Sequence, residues 1–243
     1  MDPVISRIRD ELLKNQDMKT KESAHRFFKE DITCYGVKTA LVGKIADRYW
    51  KEIKNREKAE IFNLCEELYR SQYLEEAFIV SAFAYKLKDR YEPGDMAVFR
   101  RWIDTYITNW AACDGFCNHA VGDFIEQYPE FIRELKQWTQ SENRWMRRAS
   151  AVSLIIPAKH GKFLDEVIAI ASLLLTDTDD MVRKGYGWLL KEGSRHHEQE
   201  VFEFVMQNKD TMPRTSLRYA IELMAPERKA EAMIKTRNNA VKR

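Results

Sequence analysis

Apolar residues recur at helical spacing along nearly the whole chain. Near the N-terminus they fall three or four positions apart, in the set Val4, Ile5, Ile8, Leu12 and Leu13. The same spacing returns in the segments 61–68, 78–87 and 167–175. This period places apolar side chains on one face of a helix, and the alternation typical of strands is hard to find. Because only 9 glycines and 6 prolines interrupt 243 residues, the pattern predicts an all-helical protein.

The composition excludes several other classes of protein. A hydrophobic fraction of 44% is too high for a disordered chain. No run of apolar residues is long enough to predict a transmembrane helix. The N-terminal residues 1–7 lack the basic start and apolar centre of a secretory signal peptide. Four cysteines do not make a disulfide scaffold, so we expect a reduced, cytoplasmic protein.

Turn and capping residues separate the helical segments at short intervals. We expect Thr39 and the stretch 141–143 to cap helices, and Pro129, Pro213 and Pro226 to stand at helix starts. The pattern predicts about a dozen helices of roughly 10 to 18 residues. Because no long linker separates them, the simplest interpretation is one domain over residues 1–243.

Small residues also recur at a step of 36 positions. They are Ala77, Cys113, Ala149 and Gly185, and three positions after each of them come Val80, Phe116, Val152 and Trp188. A period of this length fits a two-helix unit, and stacked units form a curved solenoid in which equivalent helices line one concave surface. We therefore expect a HEAT- or armadillo-like α–α superhelix of right-handed form. A compact helical bundle without repeats is the alternative.

Chemically distinctive side chains lie on the helices that follow this step. Trp110 and Asp114 are four residues apart and therefore share one helix face. About one and two repeats later come aromatic and basic residues, namely Arg147, Arg148, Arg183, Lys184 and Trp188. Lysine and arginine bind phosphates, and indoles stack on sugars or bases, so the set suits a nucleic-acid groove. A carboxylate repels phosphate, so Asp114 needs a separate role, such as stabilising a cationic transition state.

Charge is distributed unevenly although the net charge is only +2. Residues 1–140 carry two more acidic than basic residues, whereas residues 141–243 carry four more basic than acidic ones. The C-terminal excess is compatible with a polyanionic partner, and the basic C-terminal segment 237–243 either contacts DNA or frays. Glu75 and Glu76 are expected to disfavour phosphate, so a DNA groove should centre on residues 110–218.

At these residues the chain resembles the DNA alkylation repair family of HEAT-like-repeat alkylpurine DNA glycosylases, the AlkD type. Motifs of that family match in the expected order at residues 36–39, 110–114, 145–149, 184–192 and 216–220. They include a tryptophan followed four residues later by an aspartate, matched by Trp110 and Asp114. The chain departs from the family pattern at four positions, which are Phe27, Ala40, Ala111 and Cys113.

The resemblance implies hydrolysis of the N-glycosidic bond of cationic alkylated purines, such as 3-methyladenine and 7-methylguanine. Asp114 would stabilise the oxocarbenium-like sugar and position water, while Trp110 and Trp188 would pack on that sugar. The residues predicted to bind DNA are Phe27, Lys38, Thr39, Arg147, Arg148, Arg183, Lys184 and Arg218. The implied partner is double-stranded DNA containing alkylated purines, bound by a monomer without metal or cofactor. The protein would lie in the cytoplasm, associated with the nucleoid when bound to DNA.

Two other interpretations remain at this point. The first is a non-catalytic helical-repeat module that binds DNA or protein through the same aromatic and basic residues. The second is a metal enzyme, because Cys113, Cys117 and His119 lie close to Asp114 in sequence. Their spacing differs from the usual zinc-binding motifs, which disfavours the metal enzyme.

Overall fold

The computed structural model describes residues 2–234. Met1 and residues 235–243, which include the basic C-terminal segment, lie outside the described residues. The described helices are α1 Pro3–Lys14, α2 Met18–Phe27, α3 Thr39–Ile53, α4 Lys58–Arg70, α5 Leu74–Lys86, α6 Asp95–Tyr106, α7 Trp110–Phe116, α8 Gly122–Gln127, α9 Ile132–Trp138, α10 Arg144–Val152, α11 Ile155–Lys159, α12 Leu164–Leu173, α13 Asp180–Gly193, α14 Glu198–Asn208, α15 Arg214–Ala220 and α16 Pro226–Met233.

The remaining regular structure consists of short turns of other helix types. Two 3₁₀ turns lie at Lys88–Arg90 and Pro129–Phe131, and a π-helical segment at Cys117–Val121 follows α7 directly. No strand is formed among residues 2–234, where an isolated bridge joins Thr33 to Tyr73. The all-helical class is thus confirmed. None of the described helices is long and apolar enough to cross a membrane.

Several helices are shorter than the sequence predicts. Helices α7, α8, α9, α11 and α15 have only five to seven residues, so the predicted length range is wrong for them. Such short helices are marginally stable alone and depend on tertiary packing, which cannot be inferred from the local spacing of apolar residues.

Of the two predicted helix caps, one is confirmed and the other is wrong. Asn143 caps α10, whereas Thr39 is the first residue of α3 and Lys38 occupies the N-cap position without a side-chain hydrogen bond.

The chain divides into two compact units, of which the first ends at Tyr128 and the second begins at Pro129. In the first unit, α5 packs against both α3 and α7. In the second unit, α13 packs against both α10 and α15. Packing within each unit is consistent with an α–α superhelix. The expectation of one domain over residues 1–243 stays a prediction.

The small residues of the 36-residue step lie where helices approach closely. Ala77 and Cys113 are buried on α5 and α7, which pack together in the first unit. Ala149 and Gly185 are buried on α10 and α13, which pack together in the second. A Cβ atom at Gly185 would lie 3.4 Å from the side chain of Arg148 on α10. The repeat pattern therefore reflects the packing of equivalent helices.

The core of the first unit fixes the position of α7 through aromatic rings. Trp102 on α6 is fully buried, and its ring centroid lies 5.2 Å from Phe62 on α4 and 5.9 Å from Phe116 on α7. Phe99 contacts Phe116 edge-on at 5.4 Å. Burial of one such side chain contributes about 1.5–3 kcal/mol. The C-terminal end of α7 is therefore anchored in the core.

All four cysteines are free and buried. Cys65, Cys113 and Cys117 lie in the core of the first unit with no exposed surface, and Cys34 is 2% exposed. Among residues 2–234, no group of three or more histidine, cysteine, aspartate or glutamate side chains is arranged to hold a metal ion.

The contact between α13 and α15 gives a testable prediction. A Cβ atom at Gly187 would lie 2.9 Å from the Cβ of Tyr219 and 3.0 Å from backbone atoms of Ser216, and the backbone has little room to move. We expect Gly187→Ala to destabilise the protein by about 1–3 kcal/mol. Gly43→Ala is the matched control, because a Cβ at this helical position meets nothing within 4 Å.

Thermal melting of the two alanine variants distinguishes the close helix contact at Gly187 from the open helix surface at Gly43. Gly43→Ala should stabilise the protein by about 0.5–1 kcal/mol, since alanine loses less backbone entropy in a helix. If Gly187→Ala were as stable as Gly43→Ala, the close contact between α13 and α15 would be refuted.

Candidate nucleic-acid interface

An aromatic cluster in the first unit contains two of the predicted site residues. The ring of Trp110 stacks on Phe28, with centroids 5.2 Å apart and planes inclined by 19°. Phe27 meets Trp110 edge-on at 5.6 Å and is 69% exposed. Phe28 packs in turn against the small apolar cluster formed by Ile32, Cys34 and Leu74. The indole of Trp110 is thus held from one side and remains partly exposed.

This aromatic cluster borders a cleft of about 580 Å³ that lies entirely within the first unit. Its walls come from α2, the loop before α3, the first turn of α5 and the start of α7. Four predicted site residues line it together, namely Phe27, Lys38, Thr39 and Trp110. Lys38 and Thr39 are exposed. The cleft therefore combines an ammonium group, a hydroxyl and aromatic faces, which is the chemistry that binds a phosphate-linked sugar.

A buried carboxylate holds the loop that presents Lys38 and Thr39. Glu75, only 3% exposed, accepts hydrogen bonds from three successive backbone N–H groups. Its Oε2 accepts from Tyr35 at 3.0 Å, and its Oε1 accepts from Gly36 at 2.8 Å and Val37 at 3.0 Å. Charge-assisted bonds of this kind are stronger than neutral ones. They fix the loop immediately before the start of α3.

Gly36 is required in this loop by its conformation and its surroundings. Its φ is +88°, a region that side chains with a Cβ rarely adopt. A Cβ here would also lie 2.7 Å from the carbonyl oxygen of Asp17. The glycine therefore lets the loop pass against the start of α2.

The effect of Glu75 and Glu76 on phosphate stays a prediction, but the structure shows how both carboxylates are used within the protein. Both side chains are buried, and each is committed to protein partners. Glu76 accepts from Arg9 at 3.0 Å and from the hydroxyl of Tyr35 at 2.7 Å. Burial and the carboxylate of Glu76 raise the pKa of that tyrosine well above its ordinary value. Glu75 thus holds the loop that borders the cleft and is itself part of the cleft wall.

Trp110 and Asp114 stand one turn apart on α7, as predicted. Asn109 caps this helix by accepting a hydrogen bond from the N–H of Ala112 at 2.9 Å. Asp114 is partly exposed, whereas Cys113 and Cys117 turn into the core. The carboxylate is therefore separated from the thiols that the metal hypothesis combines with it.

In the second unit, Arg147 and Arg148 face different surroundings. Nε of Arg147 donates to Asp177 at 2.7 Å, and its Nη1 donates to the carbonyl oxygens of Ser141 and Glu142. Arg148 is 5% exposed and donates to the carbonyl oxygen of Met181. Both guanidinium groups thus bind protein acceptors close to the contact between α10 and α13.

The remaining basic residues predicted to bind DNA are more accessible. Lys184 forms an ion pair with Asp180 one turn earlier, at 2.8 Å, and is partly exposed. Arg183 donates to the carbonyl oxygen of Asp177 at 2.5 Å. Arg218 on α15 is exposed. An ion pair as exposed as this one contributes little to stability, so Lys184 can leave Asp180 to bind a phosphate.

Trp188 is partly exposed on α13, and a buried carboxylate lies one turn after it. Its indole Nε1 donates to Oε1 of Glu192 at 3.3 Å. The other oxygen of Glu192 accepts from Nε of Arg195 at 2.5 Å. Each predicted catalytic tryptophan thus contacts a residue outside the predicted site, Phe28 for Trp110 and Glu192 for Trp188, although Glu192 is the last residue of the family motif matched at 184–192.

The sequence carried only weak signals for these supporting residues. Phe28 directly follows Phe27, but its stacking on Trp110 joins positions 82 residues apart. Glu75 reads as an ordinary acidic residue in the first turn of a helix. Glu192 stands four positions after Trp188, a spacing that places the two on one helix face.

Within the described residues, helices pack in repeat fashion and present tryptophans, a carboxylate and basic side chains at their surfaces. The packing defines the class as a helical-repeat protein. A model of the family of DNA alkylation repair enzymes matches residues 8–224, and the chain belongs to that family. Membership implies an enzyme of DNA repair and DNA as its substrate.

One solved structure has a similar fold and a similar extent. It is described as a predicted DNA alkylation repair enzyme from Enterococcus faecalis, with a TM-score of 0.78 and 15% sequence identity. The match covers 87% of this chain and 98% of that one. At this identity the likeness concerns the fold alone. No curated protein sequence matches the chain significantly.

Proposed function

We propose that the protein is an AlkD-type alkylpurine DNA glycosylase that acts in base excision repair. The observation that carries the proposal is the arrangement on α7. Trp110 and Asp114 lie one turn apart, both partly exposed, and Trp110 borders a cleft that also contains Lys38 and Thr39. An aromatic face beside a carboxylate suits a cationic sugar, and the basic and hydroxyl groups suit its phosphates.

The substrates of the proposed reaction are N3- and N7-alkylated purines, such as 3-methyladenine and 7-methylguanine. Alkylation gives the purine a positive charge, so it leaves without a strong general acid. When the N-glycosidic bond breaks, its electron pair goes to the purine, which becomes neutral, and positive charge develops on the deoxyribose. Water then adds to the anomeric carbon and loses a proton. The products are a free base and an abasic site.

Three side chains carry the proposed catalysis. Asp114 stabilises the oxocarbenium-like sugar and positions the attacking water. Trp110 and Trp188 pack on the sugar, and their π faces attract its positive charge. The stacking of Phe28 against one side of Trp110 supports this role, because it limits the orientations that the indole can adopt.

The residues proposed to bind DNA differ in how they contribute. Phe27, Lys38, Thr39 and Arg218 are exposed and contact the DNA backbone directly, and Lys184 joins them by giving up its ion pair with Asp180. The other three, which are Arg147, Arg148 and Arg183, bind protein acceptors and supply positive potential. The proposed partner is double-stranded DNA, bound by a monomer in the cytoplasm or at the nucleoid without metal or cofactor.

Base release from methylated DNA tests the proposal. The protein is incubated with DNA methylated at N7 of guanine and N3 of adenine, and the released bases are separated by chromatography. We expect both methylpurines to appear faster than in their spontaneous release. Salt-dependent DNA binding without base release would instead support the non-catalytic DNA-binding module.

A further inference from the structure

Glu192 is a buried carboxylate near the end of α13, and its two oxygens have different partners. It is only 7% exposed. Oε1 accepts a hydrogen bond from the indole N–H of Trp188 at 3.3 Å, and Oε2 accepts from Nε of Arg195 at 2.5 Å. A single side chain thus joins the partly exposed indole to a cation one turn away.

Satisfying the indole N–H does not require this arrangement. Trp188 is partly exposed, so water can accept from its N–H, and burial of a carboxylate is costly unless it is paired. The pairing is supplied by Arg195, whose side chain is 41% exposed and can be hydrated without Glu192. The burial of this carboxylate is therefore best explained by its effect on the orientation and the charge distribution of the indole.

A carboxylate acceptor has two effects on an indole. It fixes the plane of the ring, since the N–H must point at the acceptor oxygen. It also polarises the N–H bond towards the ring, which increases the electron density on the π face and strengthens its attraction for a cation.

We propose that Glu192 is a positioning residue for Trp188. It orients the indole and strengthens the attraction of the indole face for the cationic sugar of the transition state. The inference rests on the proposed function, because it needs Trp188 to meet that sugar. Arg195 completes the arrangement by compensating the charge of Glu192.

The hydrogen bond itself is tested in the free protein by nuclear magnetic resonance. The Trp188 indole N–H resonance is assigned by its disappearance in Trp188→Phe. In Glu192→Gln the weaker neutral acceptor should move this resonance upfield. Glu222→Gln is the matched control, because Glu222 also forms an ion pair with α13, through Lys191 at 2.6 Å. An unchanged resonance in Glu192→Gln overturns the inference.

The effect on Trp188 as a cation-binding face is tested by single-turnover kinetics on DNA containing N7-methylguanine. We expect Glu192→Gln to release the base about 5- to 10-fold more slowly, since part of a cation–π interaction is lost. Its affinity for abasic-site DNA should change less than about 2-fold, while Glu222→Gln behaves like the unmodified protein. An unchanged rate in Glu192→Gln, or an equal loss in Glu222→Gln, overturns the inference.

Failure of the inference and failure of the proposed function are distinguishable. If the unmodified protein releases no methylpurine, the glycosylase proposal fails. The indole resonance then decides by itself whether Glu192 orients Trp188. If the unmodified protein is active and the resonance moves while the rate stays the same, the glycosylase proposal stands and the role of Glu192 is refuted.

Discussion

Replacement of Asp114 by asparagine is expected to reduce the release of N7-methylguanine by about 100-fold or more. The substitution preserves the size of the side chain and removes its negative charge. In the proposed reaction that negative charge stabilises the positive charge developing on the sugar, so its loss raises the free energy of the transition state. Single-turnover release from methylated DNA, measured by chromatography of the free base, gives the rate.

Two comparisons make the Asp114 result specific. Asp10→Asn is the matched control, because Asp10 is an exposed aspartate on α1 of the same unit, and it should leave the rate unchanged. Asp114→Asn should also retain its affinity for abasic-site DNA and its melting temperature. Base release at the unmodified rate by Asp114→Asn would remove this residue from the catalytic assignment.

Replacement of Glu75 by glutamine is expected to have the largest effect on stability, about 3 kcal/mol. The amide keeps one acceptor oxygen for the N–H groups of Gly36 and Val37 and turns its NH₂ group towards the N–H of Tyr35. Two donors then face each other in a buried place, and a charge-assisted bond is lost. For a chain of this length the melting temperature should fall by roughly 6–12 °C.

The Glu75 substitution also tests how the cleft is built. Because the loop 35–37 precedes Lys38 and Thr39, Glu75→Gln should weaken binding to abasic-site DNA in addition to lowering the melting temperature. Glu60→Gln serves as the control, since Glu60 is exposed on α4 and should change stability by less than about 0.5 kcal/mol. A melting temperature equal to that of Glu60→Gln would show that the three backbone donors do not depend on the carboxylate.

Much of the fold could be predicted from local pattern. Apolar spacing indicated helices, and the step that joins Ala77 to Cys113 and Ala149 to Gly185 indicated which helices pack together. Both signals are repeated many times, so single irregularities do not obscure them. The short helices were missed because their boundaries depend on tertiary packing. The π-helical turn at 117–121 likewise has no local signature in the composition of that segment.

The candidate site was predictable in its exposed members and not in its supports. Trp110 and Asp114 share a helix face by spacing alone. The contacts of Phe28 with Trp110 and of Glu75 with the loop 35–37 join distant parts of the chain, and no periodicity reports them. The burial and the partners of Glu75 and Glu76 could not be predicted for the same reason, because neither is visible in the sequence.

The burial of all four cysteines has a consequence for the reactivity of the chain towards electrophiles. Such reagents attack thiolates, which are the most nucleophilic groups of an ordinary protein. Burial raises the pKa of the Cys34 and Cys65 thiols, so both stay protonated at neutral pH. Cys113 and Cys117 present no surface to solvent. We therefore expect the thiols of the folded protein to react more slowly with methylating electrophiles than those of the unfolded chain.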